Sequence, residues 1–162
     1  MSFSEIEEDL LRPSLSSKDD LGEFDRPWYP PHITLIGFLC GLVTAGILFG
    51  WNYRRLGMQR RQWPIVVGAF LLFLAFHCGV AYGLSVGWWG LNEGPTIRFG
   101  NRGLTIVASL LIAHDQKSRY RLAMATDHPA GSIWIPGFIA MGIGVICNIA
   151  FAELVVPLFF AE

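Results

Sequence analysis

The sequence predicts an all-α integral membrane bundle of four transmembrane helices, and three observations lead there. Hydrophobic residues make up 52% of the 162 and charged residues only 15%, where a soluble domain carries roughly 25% charged residues. Apolar stretches recur at close to the roughly 20 residues that a bilayer-spanning helix needs. Basic residues gather in two clusters that four crossings would bring to one side. The charge deficit excludes a disordered chain, a coiled coil and a nucleic-acid binder relying on a basic face.

Charge divides the chain in two. Residues 1–33 hold eight acids against Arg12, Lys18 and Arg26, a net −5, while the remainder holds nine Lys/Arg against five acids, a net +4. Residues 1–31 therefore read as an acidic, mobile tail and residues 32–162 as the transmembrane helical domain. The tail ends in Arg26-Pro27-Trp28-Tyr29-Pro30-Pro31. Its Trp and Tyr suit a headgroup layer, and its prolines favour extended backbone. The first residues are acidic and precede no apolar core, so they do not read as a signal peptide.

The first span is expected at residues 33–51, uncharged until polarity returns at Trp51-Asn52. A short loop follows with Arg54, Arg55, Arg60 and Arg61. The second span is expected at 64–87, with Pro64 at the first helical position, where its missing donor is harmless. Trp88-Trp89 mark its far interface. The third is expected at 96–113 and is the shortest, with Arg98 and Arg102 in its first two turns, from which they can snorkel to headgroups. A basic stretch with Lys117, Arg119 and Arg121 continues it, and 127–131 form a turn. The fourth is expected at 133–160, long enough to tilt.

Four crossings put both basic clusters on the same side, as the positive-inside rule prefers. The expectation is a multi-pass protein of the cell (inner) membrane with cytoplasmic basic loops and both termini outside. The partners expected are the lipid bilayer and a membrane protein or a second copy; nucleic acid is not among them.

Small residues recur four apart, as in Gly37-Gly41, Gly79-Gly83-Gly87 and Ala140-Gly144, with Gly46-Gly50 on a second face of the first span. Such rows let helix backbones approach closely in lipid. His77 and Asn148 lie deep in the second and fourth spans, at about the same level by residue count. Polar groups at that depth mark sites or satisfy one another. A neutral His77 bonded to Asn148 or to a backbone carbonyl is the simplest arrangement. Glu153 lies near the outer interface, where Arg98 or Arg102 could pair with it. Together His77, Asn148 and Glu153 form the candidate intramembrane polar site.

No phosphate loop, HExxH, GxSxG or metal-type Cys/His cluster occurs. Cys40, Cys78 and Cys147 lie in apolar runs and read as small hydrophobes. Haem ligated by two histidines would need a second deep histidine besides His77. No cofactor and no catalytic residue are therefore expected.

The loop Asn52-Tyr53-Arg54-Arg55-Leu56-Gly57 resembles the N-x-R-R-L-G loop of uncharacterised small bacterial multi-pass membrane proteins. The resemblance covers the first two spans and implies no activity. In physical terms Asn52 can end the helix, Gly57 allows the turn, and Arg54 and Arg55 suit anionic headgroups. Missing chemistry, small-residue faces and short loops suggest a non-catalytic accessory or assembly subunit of a larger membrane complex. The alternative is a small transporter or channel with a polar site around His77 and Asn148.

Overall fold

The computed structural model describes residues 25–90, 94–125 and 130–159, which fold entirely as helices and their connections. Five helices follow in order: α1 (Pro30–Cys40), α2 (Leu42–Arg55), α3 (Gln59–Ser85), α4 (Gly94–Ala125) and α5 (Trp134–Leu154), closed by a 3₁₀ turn, Val156–Phe159. Two are long and apolar enough to cross a membrane: α3, and α5 with its 3₁₀ extension. The acidic tail expected at 1–31 lies outside the described residues up to residue 24.

The expected first span is not one helix. It breaks at Gly41, whose φ of 97° and ψ of 176° are accessible essentially to glycine alone. The Gly41 N–H donates to Gly37 O (2.7 Å) to end α1, and its carbonyl accepts from Ala45 N–H (3.1 Å) to begin α2. Between these bonds the chain reverses. The Trp28 N–H donates to Asn52 Oδ1 at 2.7 Å, whereas 24 residues of unbroken helix would hold them about 36 Å apart. Two sequence features allow the reversal: a glycine at the bend, and small residues where the arms meet. A Cβ on Gly37 would come within 2.6 Å of Ala45 Cβ.

The returning arm, α2, is the centre of the molecule. Every residue from 42 to 50 is buried, and α2 packs against α1, α3, α4 and α5. Its glycines make this possible. A Cβ on Gly46 would overlap Ala69 Cβ of α3, and one on Gly50 would lie 2.5 Å from Val66 Cγ2. On the opposite side Thr44 Oγ1 donates to Ala140 O of α5 (3.3 Å), and Gly144 leaves room for the Thr44 side chain. Gly37, Gly144 and the Gly46-Gly50 pair thus lie at close helix–helix contacts. The Gly79-Gly83-Gly87 row does not. Nothing lies within 4 Å of a Cβ at Gly79 or Gly87, and the nearest neighbour of one at Gly83 is the Trp89 ring, four residues past the end of its own helix.

Gly57 and Gly87 instead stop helices. Each has positive φ (73° and 74°). In each case the glycine N–H and the next N–H reach back to the last turn: Gly57 to Arg54 O and Met58 to Tyr53 O, Gly87 to Leu84 O and Trp88 to Gly83 O. This is the Schellman arrangement that satisfies terminal carbonyls.

The remaining boundaries also moved. Helix α3 begins at Gln59, before Pro64. Helix α4 runs unbroken through the basic stretch for 32 residues, about 48 Å. Helix α5 ends at Leu154 because Pro157 cannot donate and disfavours helix just before it. Large apolar side chains face outward on the outer helices, among them Leu71, Phe99, Leu111 and Ile146, while Thr44, Asn52, Thr105, Ser109 and Gln116 are buried. The core around α2 is mainly apolar, with these five polar residues set into it, and large apolar side chains also cover the outer faces.

Candidate functional site

The densest polar chemistry lies at the base of the hairpin, where its two arms end beside α4. Asn52, fully buried, is three residues inside the end of α2 and does not terminate it. Its Oδ1 accepts from the Trp28 N–H, and its Nδ2 donates to Gln116 Oε1 (2.7 Å) and to Trp28 O (3.2 Å). Gln116 Nε2 in turn donates to Phe49 O at 3.0 Å. Two side-chain amides thus tie three segments together, every bond made within the chain. Trp28, 1% exposed, is part of the core rather than an interfacial anchor, and its Nε1 donates to Ser132 O (3.0 Å).

At the rim, Tyr53 donates its hydroxyl to Asp115 Oδ2 (2.6 Å), and Arg61 pairs with the same oxygen. The bonds from Tyr53 and Arg61 hold the Asp115 carboxyl below the usual carboxylate range. Burial, and then the neighbouring carboxylate, push the Tyr53 phenol above its ordinary value.

The four loop arginines have separate roles. Arg61 bridges α3 to α4 through Asp115. Arg55 lies 4.3 Å over the Trp28 ring, and its Nη1 donates to Arg26 O (3.0 Å). Arg54 and Arg60 are exposed. Arg54, Arg55, Asp25 and Trp51 edge an open cleft of about 530 Å³. The Asp25 N–H donates to Arg55 O, so the chain enters the domain at the basic end. That corrects the expected separation of the N-terminal segment from the basic loops.

The residues His77, Asn148 and Glu153 do not form a joint site. His77 Nδ1 lies 2.9 Å from Phe73 O, and since a carbonyl only accepts, Nδ1 carries the proton. Of the two partners expected for His77, the backbone carbonyl is the one present. The ring packs against Phe73, Phe76 and Phe151. Asn148 is exposed and donates to Gly144 O in its own helix (2.8 Å). Glu153 is exposed, and the one ion pair among the described residues joins Arg61 to Asp115, so Glu153 pairs with neither Arg98 nor Arg102.

Sequence reasoning missed Gln116 and misread Trp28 and Asn52. Gln116 sits in a polar stretch with no local sign of burial, and only the reversal at Gly41 brings Trp28 to Asn52. Among the described residues no three His, Cys, Asp or Glu side chains gather as a metal site. The three cysteines are free. Comparison with known proteins found no match: no family model fits the chain, and no curated protein or solved structure is detectably similar to it.

Proposed function

We propose that the chain is a multi-pass membrane protein in which α3, α4 and α5 cross the bilayer and α1–α2 form a re-entrant hairpin. The outward apolar side chains support this reading. So does the low burial, 17% in each case, of the most apolar windows of α3 and α5, since the core helix of a soluble protein would be mostly covered. Non-helical backbone at membrane depth is tolerated where protein covers it; here it is confined to the half-buried Gly41, whose N–H and carbonyl are both hydrogen-bonded within the hairpin. Three crossings plus a hairpin also keep both basic clusters on one side. The positive-inside rule then makes that side cytoplasmic, together with the N-terminal segment, and leaves the C-terminus outside.

Within the membrane the chain acts as a non-catalytic accessory or assembly subunit of a larger complex. The observation that carries this reading is that His77, Asn148 and the hairpin amides are satisfied within the chain, Ser109 Oγ being the buried polar side-chain atom among the described residues left without a partner. His77 and Asn148 each bond a carbonyl of their own helix, and the hairpin amides bond one another. A transport path would instead align polar groups toward a shared lumen. Purification in mild detergent tests the reading: a stoichiometric membrane-protein partner is expected. Substrate-dependent flux in proteoliposomes containing this chain alone would overturn it.

A further inference from the structure

Arg98 and Arg102 stand one turn apart on one face of α4, both exposed. They occupy the part of α4 toward and beyond the hairpin bend, where Arg102 lies 5.6 Å over the Phe38 ring. Neither has a carboxylate partner among the described residues, and Glu153 on α5 has no basic partner among them. The bonds Asn52–Gln116 and Trp28–Ser132 put Gln116 and the start of α5 at a common level. Counted at 1.5 Å per residue, Arg102 lies about 21 Å and Arg98 about 27 Å from Gln116, and Glu153 about 28 Å from Trp134. The two signs of charge therefore share the same end of the molecule. They do not meet within one chain: at this level α3 faces α4 through Phe76 and Gly100 and faces α5 through His77 and Phe151, while α4 and α5 share no extended contact.

We infer that this end binds a second copy of the chain, Arg98 and Arg102 of one copy pairing with Glu153 of the other. The inference rests on the bilayer placement proposed above. Ionisable groups inside a hydrocarbon layer about 30 Å thick pair or face the protein interior, and these face outward. The set is self-complementary: a two-fold arrangement forms the contact twice, with two arginines facing each Glu153. Exposed Phe99 and Leu154 adjoin the charges and supply apolar contact. Gly103, exposed with no atom within 4 Å of a Cβ, allows close approach.

The test uses the full chain in nanodiscs, with mass and subunit exchange read by single-molecule counting. Carbonate extraction of membranes is read first, so that failure of the bilayer placement shows there as release into the soluble fraction. For extracted-resistant protein, an oligomer is expected. Glu153→Arg, and separately the double change Arg98→Glu with Arg102→Glu, should each weaken association by about tenfold or more, equivalent to ~1.4 kcal/mol. Mixing the two variants should restore mixed oligomers. Glu153→Gln, which removes charge without reversing it, should weaken association with unchanged melting. Monomeric wild type overturns the inference, as does an oligomer indifferent to Glu153→Arg. Loss in both variants without restoration on mixing also overturns it, and assigns the arginines to anionic lipid headgroups.

Discussion

Asn52 decides how the hairpin closes. Its amide satisfies both the donor and the acceptor of Trp28 and the oxygen of Gln116, all in a buried setting. Asn52→Ala should therefore destabilise the protein by about 1–3 kcal/mol for each buried group left without a partner, seen as a lower melting temperature in detergent. The Tyr53–Asp115 contact sets a pH window. The Asp115 carboxyl is depressed, so its stabilisation is present above the ordinary value of about 3.9 and is lost as pH falls through the lower folded value. The Tyr53 phenol is raised, so its contribution holds below about 10 and is lost as pH rises through the higher folded value. Melting should be flat between about pH 5 and 9 in the wild type and fall at both extremes. Tyr53→Phe should abolish the alkaline fall from this contact. The exposure of Asp115 keeps the acid effect small. None of this was legible in the sequence: Asn52 before Gly57 has the pattern of a helix stop, and Gln116 gains meaning only from a residue 64 positions away.

At the scale of elements, the sequence located apolar segments well and their continuity poorly. Composition placed α3 and α5 to within a few residues at most ends, because apolar length is a local property. It could not separate α1 from α2, because a glycine in an apolar run reads equally as a packing contact or a bend, and Gly41 is the second. Gly41→Ala has open space for its methyl, so its expected loss of about 1–3 kcal/mol comes from backbone strain alone, measurable by denaturant or thermal unfolding. The two glycine rows give a sharper contrast. Gly46→Leu would drive a side chain into Ala69 and should abolish folded protein in detergent, whereas Gly79→Leu meets open space and should leave melting nearly unchanged. Equal damage from both would contradict the packing of α2 against α3.

For the whole molecule, the re-entrant hairpin proposed above would change the parity of the topology without disturbing the charge bias that led to it. Single cysteines in a cysteine-free background at Asp25, Arg60 and Lys117 should all resist an impermeant reagent added outside intact cells. Those at Val86 and Leu158 should react. Labelling of position 25 from outside would restore four crossings. The structure joins the two basic stretches at one end of the molecule through Arg61 and Asp115. It also divides the first apolar stretch into two helices, which the length of that stretch alone did not foretell.

The bend at Gly41 also bears on the order in which the protein can be made. A lone α1–α2 hairpin would present its turn, with incompletely satisfied backbone groups, to hydrocarbon. The surfaces that cover α2 belong to α3, α4 and α5, all of which are synthesised later. In the bilayer placement proposed above, the hairpin segment could reach its final place only after the helices that follow it. Until α5 emerged it would wait at the interface, stay with the insertion machinery or stand temporarily as a single upright helix. Maturation would then end with an earlier segment folding back into a site built by its successors.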